Sequence, residues 1–194
     1  MSESEYIALC QKGDMDAFNQ LVLMYENKIL NYCYRILGDR TDAEDAAQEV
    51  FVKLYRFIGS FTGQSAFSTW LYKIASNVCL DLLRKNKRHK TETVSLHQQN
   101  TEGEEFMRYV EDGSPTPYEV AQKNEAQRAL LDALEKLGED QKKVIILRDI
   151  EGLSYEEIAD ITGTAPGTVK SRINRARKAL KKLLEKDREL FLLS

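Results

Sequence analysis

Residues 152–180 read GLSYEEIADITGTAPGTVKSRINRARKAL, and this stretch decides the fold. Ser154-Tyr155-Glu156-Glu157 has the form of a capping box, in which a hydroxyl and a carboxylate three residues apart satisfy orphan amide donors at a helix start. Gly163 supplies a stop, and Pro166 suits the first position of a second helix, where no amide donor is needed. Val169, Ile173, Ala176, Leu180 and Leu183 then fall on one stripe at helical spacing. Ser171, Asn174, Arg175 and Lys178 project from the opposite side, flanked by Lys170, Arg172 and Arg177. A short helix, a tight turn and a longer helix with a basic outer face form the pattern of a helix-turn-helix over 154–178. In that motif the second helix enters a major groove. Arg reads guanine through two hydrogen bonds, Asn can read adenine, and a small hydroxyl suits a base or a phosphate. A basic helix alone reads more readily as a solvated surface. The caps and the turn together make it a reading surface.

Helix punctuation continues upstream. Asp14 caps a segment to Leu37, closed by Gly38. Thr41-Asp42-Ala43-Glu44 offers a capping box for a segment to about Ile58. Gly59–Gln64 is a short loop, and Ser65 caps a segment ending near Lys87. Further helices are expected at 117–137, 141–151, 154–162 and 166–187, with Gly138, Gly152 and Gly163 as stops. Strand alternation is absent. The expected fold is all-α: two helical domains, 1–90 and 117–194, joined by a flexible acidic linker over 91–116.

The charge pattern defines that linker. The chain has 194 residues and a net charge of −3, but the charge is segregated. Arg84–Lys90 reads RKNKRHK, with five Lys/Arg and no acid, and 170–188 holds nine bases against two acids. Between them, 92–125 holds eight acids against two bases, in polar, turn-rich sequence. Basic blocks suggest contact with a polyanion, and the acidic stretch suggests a solvated spacer. The 27 residues from Thr91 to Pro117 would span roughly 30 Å as a free coil and on the order of 90 Å fully extended. Two duplex sites two helical turns apart are separated by roughly 70 Å, so such a linker spans them only if a third body holds it out.

A second candidate surface lies on the helix from Ser65. Phe67, Leu71, Ile74, Val78 and Leu82 make a core stripe, while Lys73, Asn77, Arg84 and Arg88 lie on another. Phe61, Phe67, Trp70 and Tyr72 crowd the helix start. Aromatics beside bases suit unstacked nucleobases, since stacking on a ring contributes roughly 1–3 kcal/mol per base. The preceding loop could cup an extruded base. From periodicity Phe67 reads as core; Trp70 divides evenly between core and platform. A third patch is acidic: Asp39, Asp42, Glu44, Asp45 and Glu49 gather at one helix start, with Arg40 opposing them and Gln48 on the face of Asp45. The helix dipole accounts for some of these acids. A basic protein partner would account for the surplus.

These segments resemble the extracytoplasmic-function class of bacterial sigma factors, the promoter-reading subunits of RNA polymerase. DAEDAAQEVFVKLYRFIGSF and SAFSTWLYKIASNVCLDLLRKNKR resemble the second sigma domain, and the 152–180 stretch resembles the fourth. The resemblance implies that Asp45, Gln48 and Glu49 grip the clamp coiled coil of core polymerase, with the flap as a further contact. It implies that Phe61, Trp70, Lys73, Asn77, Arg84 and Arg88 melt and read the −10 element. It assigns Thr168, Lys170, Ser171, Arg172, Asn174, Arg175 and Lys178 to the −35 duplex. Many relatives carry the proline one residue earlier, which leaves open where the recognition helix starts around Ala165–Gly167. Many are also held by an anti-sigma factor, a further partner for this chain.

Other classes are poorly served. The sequence shows no phosphate-binding Gly-Lys-Ser/Thr loop, no His-Glu-x-x-His and no Gly-x-Ser-x-Gly, so no enzyme, metal or cofactor is expected. Cys10, Cys33 and Cys79 are far apart and form no Cys-x-x-Cys pair, which suits small core residues in a reducing cytoplasm. No secretory leader and no membrane span are expected. The remaining alternative is a self-sufficient helix-turn-helix regulator, which would need no polymerase-gripping face.

Overall fold

A computed structural model describes residues 1–92 and 117–186, with the side chains of 88–92, 117–124 and 127 excepted, and eight α-helices occur among the described residues. The expectation of a flexible acidic linker falls mainly on 93–116, outside the described residues. The helices are α1 Glu3–Cys10, α2 Met15–Leu37, α3 Arg40–Phe57, α4 Phe67–Glu92, α5 Pro117–Glu135, α6 Glu139–Ile145, α7 Tyr155–Thr162 and α8 Pro166–Leu184. No strand occurs among the described residues.

Local chemistry explains most boundaries. Asp14 accepts from the Ala17 amide at 2.9 Å and starts α2. Gly38 ends it in the left-handed region at φ 79°, which favours glycine. Three starts differ from expectation. Ser2 and Glu5 form a capping box on α1, a helix the sequence reading overlooked. Asp39, not Thr41, caps α3, accepting from Asp42 N at 2.9 Å, so the helix begins one residue before the expected cap. Ser65 lies two residues ahead of Phe67, and it is the Ala66 carbonyl that accepts from Trp70 N. Helix α4 also runs through the basic block to Glu92, past the expected end near Lys87. The helix expected at 141–151 divides into α6 and a five-residue π turn over Ile146–Ile150, and Gly138 precedes α6 rather than closing α5.

The N-terminal half is a bundle of α1–α4 around Leu21, Ile29, Tyr32, Val50, Leu54 and Leu71, all fully buried. Cys10, Cys33 and Cys79 are free and buried within it, as small core residues. The Cys79 thiol beside it, together with burial, pushes the Cys33 thiol well up, so it stays protonated. The C-terminal half packs α5–α8 around Leu134, Ile146, Leu147, Ile158 and Ile173.

The two halves are not separate bodies: α4 lies against α7, and α2 touches α6. Thr69, fully buried, donates to Glu157 at 2.8 Å. Tyr72 donates to Glu151, which also pairs with Arg35 at 3.2 Å. Lys142 reaches across to the Ile36 carbonyl at 2.8 Å, near the end of α2. Burial holds the Lys142 ammonium below the usual lysine range. An added Cβ at Gly38 would collide with the Glu135 carboxylate, so the end of α2 also marks close approach between the halves.

Candidate nucleic-acid interface

The helix-turn-helix follows its local chemistry. Ser154 and Glu157 complete the expected capping box: Ser154 N donates to Glu157 at 2.8 Å and Glu157 N to Ser154 Oγ at 3.2 Å. Those bonds, with the one from Thr69, hold the Glu157 carboxyl below its ordinary range. Gly163 turns the chain at φ 64°, and Pro166 takes the first position of α8 after Ala165 as N-cap. The start of the recognition helix, open from the sequence, is thereby placed at Pro166, with Thr168 in its first turn.

Helix α8 buries Val169, Ile173 and Ala176 against α6 and α7 and turns the other side outward. Lys170, Ser171, Asn174, Arg175 and Lys178 are exposed there. Ser171 donates to its own Thr168 carbonyl at 2.9 Å, and the Arg175 Nε leans on the Ser171 carbonyl at 3.4 Å, leaving its terminal amines outward. A depression of about 420 Å³ opens beside Lys170, Ser171 and Asn174. Two flanking arginines have acidic partners. Arg172 is half-buried and pairs with Asp140 at 3.5 Å. Arg177 clasps Asp149 with two bonds, one of 3.0 Å from Nε, which pushes its already high pKa higher. Sequence periodicity placed both beside the reading face, since it carries no information on acids contributed by other elements.

On α4 the aromatics form one cluster. Phe67 is core, as its periodicity indicates, and meets Tyr25 edge-on at 5.4 Å between ring centroids. Trp70 is half-buried, and its ring lies 5.3 Å from that of Phe61. Gln11 fixes the loop before α4, donating to the carbonyls of Ile58 at 3.1 Å and Phe61 at 2.7 Å. Asn77 and Arg84 are exposed, and Arg84 stands 3.5 Å from Asp81. Lys73 pairs with Asp160 of α7 at 2.7 Å. The Arg88 side chain lies outside the described ones.

On α3 the acidic surplus is smaller than composition suggested. Asp39 caps the helix, Asp42 accepts from Asn86 at 2.9 Å, Glu44 pairs with Arg40 at 3.0 Å and Glu49 with Lys53 at 2.8 Å. Lys53 thus opposes the acids as well as Arg40. Asp45 and Gln48 are exposed on the same face as Glu49.

A two-part helical protein with a basic recognition helix and a second, aromatic-lined basic helix belongs to the class of DNA-binding transcription proteins. Comparison with known proteins narrows the class. Residues 21–89 match sigma-70 region 2, and residues 127–180 match sigma-70 region 4. The chain is 37% identical over 185 residues to the RNA polymerase sigma-H factor of Pseudomonas aeruginosa, covering 94% of each. It is 38% identical over 174 residues to the ECF RNA polymerase sigma factor SigW of Bacillus subtilis, covering 90% of this chain and 92% of that one. Among solved structures, the sigma factor RpoE of Bartonella quintana, in complex with the anti-sigma factor NepR, superposes with a TM-score of 0.68 at 28% identity. That match covers 87% of this chain and 96% of RpoE. The chain belongs to the sigma-70 family, in its extracytoplasmic-function (ECF) class. It is an alternative sigma factor that directs RNA polymerase to promoters.

Proposed function

We propose that the two halves divide promoter recognition. Residues 117–194 read the −35 duplex through α8, and residues 1–90 grip core polymerase and read the melted −10 element. The observation that carries the −35 assignment is the outward row Lys170, Ser171, Asn174, Arg175 and Lys178, opposite a buried stripe. Within that row Asn174 and Arg175 are the base readers, while Lys170 and Lys178 contact phosphate. Thr168 supplies a hydroxyl at the helix start. Arg172, which pairs with Asp140, lies against the −35 duplex at the edge of this row. On α4, Trp70 and Phe61 form the stacking platform, and Lys73, Asn77, Arg84 and Arg88 line the path of the strand. On α3, Asp45, Gln48 and Glu49 face the clamp coiled coil.

The chain works without catalysis, cofactor or metal of its own and acts in the cytoplasm, where promoter DNA and polymerase are. RpoE was solved in complex with an anti-sigma factor. That likeness supports an inhibitory partner of the same class here. Run-off transcription with purified core polymerase tests the division. Specific initiation by the intact chain, lost on Asn174→Ala/Arg175→Ala, is the expected result. Retained promoter choice in that variant would reassign −35 reading.

A further inference from the structure

A cleft of about 800 Å³ opens where the end of α2, the middle of α4 and the junction of α5 with α6 meet. Clefts of roughly 300–1,000 Å³ are of the size that holds small molecules. Its walls are aliphatic: Ile36, Leu37, Leu80, Leu83 and Leu137. Among the described residues no aromatic ring lines it, so nothing there stacks on a nucleobase. Lys143 stands at the wall. It is 8% exposed, yet its ammonium makes no hydrogen bond or ion pair among the described residues. A buried ammonium without a partner is costly, and burial holds that of Lys143 below the usual lysine range. Asp140 and Glu139 act on it only from beyond ion-pairing distance. The other charges of the cleft are committed: Lys142 donates to the Ile36 carbonyl at 2.8 Å, Lys87 pairs with Glu139, and Arg172 holds Asp140 at 3.5 Å. Glu135 supports the Lys142 ammonium.

We propose that this cleft binds an aliphatic monocarboxylate of medium chain length, with its carboxylate on Lys143 and its hydrocarbon chain along Leu80, Leu83 and Leu137. The single charge follows from the rim. Glu135, Glu139 and Asp140 repel a di- or triphosphate, whereas one carboxylate needs only the one unpaired ammonium. The aliphatic tail follows from the walls, which offer hydrocarbon and no ring. A carboxylate on Lys143 forms a charge-assisted hydrogen bond and so supplies the partner that the buried ammonium lacks. Each methylene seated against the leucines should tighten binding by up to about fourfold. The site is separate from promoter reading as proposed above: neither the Trp70–Phe61 platform nor the outward row of α8 lines it.

Isothermal titration of the full-length chain tests this, at one fixed salt and below micelle-forming concentrations. The probes are hexanoate, octanoate and decanoate, with 1-decanol as the uncharged counterpart. The expected result is one decanoate bound per chain, with affinity rising roughly two- to fourfold per added methylene. Decanol should bind roughly tenfold or more weakly than decanoate, because it leaves Lys143 without an anion. Lys143→Met keeps the apolar bulk, and loss of an unpaired buried charge should not lower its urea midpoint. That variant should bind decanoate no better than decanol. Absence of saturable binding by wild type overturns the site. Equal affinity of wild type for decanoate and decanol overturns the role of Lys143, and this comparison needs no variant to fold. Decanoate binding that survives Lys143→Met overturns it as well. Affinity that stays flat from hexanoate to decanoate overturns the seat of the tail along the leucines, and the proposal with it.

Discussion

At the scale of single residues, charge is assigned by partners rather than by position. Arg172, Arg175 and Arg177 fall within six residues of one another on α8, yet their environments diverge. Asp140 and Asp149, from the preceding segments, hold the first and third, while Arg175 alone leaves its terminal amines outward. Arg175→Ala should change the preferred −35 sequence, losing roughly 1–3 kcal/mol of discrimination at one base. Arg177→Ala should leave the preferred sequence alone and cost stability of less than about 1 kcal/mol, since the pair is largely exposed. Selection from a promoter library and urea unfolding of each variant check both statements. A shifted consensus for Arg177→Ala would place it among the readers. The same logic applies on α3. Lys53 already neutralises Glu49, whereas Asp45 has no ion-pair partner among the described residues. Asp45→Lys should therefore weaken core-polymerase binding more than Glu49→Lys, and a pull-down at fixed salt that ranks them the other way reverses the assignment.

At the scale of elements, what was legible is what local chemistry decides. The capping box at Ser154, the stop at Gly163 and the first-turn proline at 166 each act within one turn of chain, and each stands where the sequence indicates. The start of α3 was misplaced by two residues because Asp39 and Thr41 are both good caps, and it is the Asp39 carboxylate that takes an amide, that of Asp42. Helix α1 was missed although it has a local signal, the Ser2–Glu5 capping box. The π turn at Ile146–Ile150 was not legible, since it is stabilised by burial of Ile146 and Leu147 rather than by any local signal. The Ser154 box makes a prediction with a sign. Glu157 has its carboxyl held below the ordinary value of 4.5, first by the Ser154 amide and then by Thr69. A depressed acid contributes stability that is complete above its unfolded value and is lost as pH falls through the folded one. Glu157→Gln should thus be less stable than wild type at neutral pH, with the gap closing as pH falls below about 4. Urea midpoints measured across that range check it. A gap that widens on acidification would contradict the bonding described.

At the scale of the molecule, the sequence indicated two domains and a spacer but gave no sign that the halves touch. The contacts are single side chains far apart in the chain: Thr69 with Glu157, Tyr72 and Arg35 with Glu151, Lys142 with the Ile36 carbonyl. All but Glu151, which follows the π turn, sit inside helices whose periodicity is satisfied without them, so no pattern within one helix announces the contacts. Their energies should nonetheless be ordered by burial. Lys73–Asp160 has side chains 43% and 47% exposed, and breaking it should cost less than about 1 kcal/mol. Arg35–Glu151 is 15% and 10% exposed, and removing one partner of a well-buried pair costs about 3–5 kcal/mol. Partial exposure and the Tyr72 hydroxyl that still reaches Glu151 lower that figure to about 2 kcal/mol. Salt follows the same order, because exposed charges are screened within about 10 Å at 0.1 M and sheltered ones much less. Arg35→Ala should therefore expand the free chain and lower its urea midpoint more than Lys73→Ala. Raised salt should reproduce the Lys73→Ala effect but only a small part of the Arg35→Ala effect. Small-angle scattering across a salt series, run on wild type and both variants, reads this directly. If Lys73→Ala opened the chain as far as Arg35→Ala, the sheltered pair would not be what holds the halves together, and the rim would be.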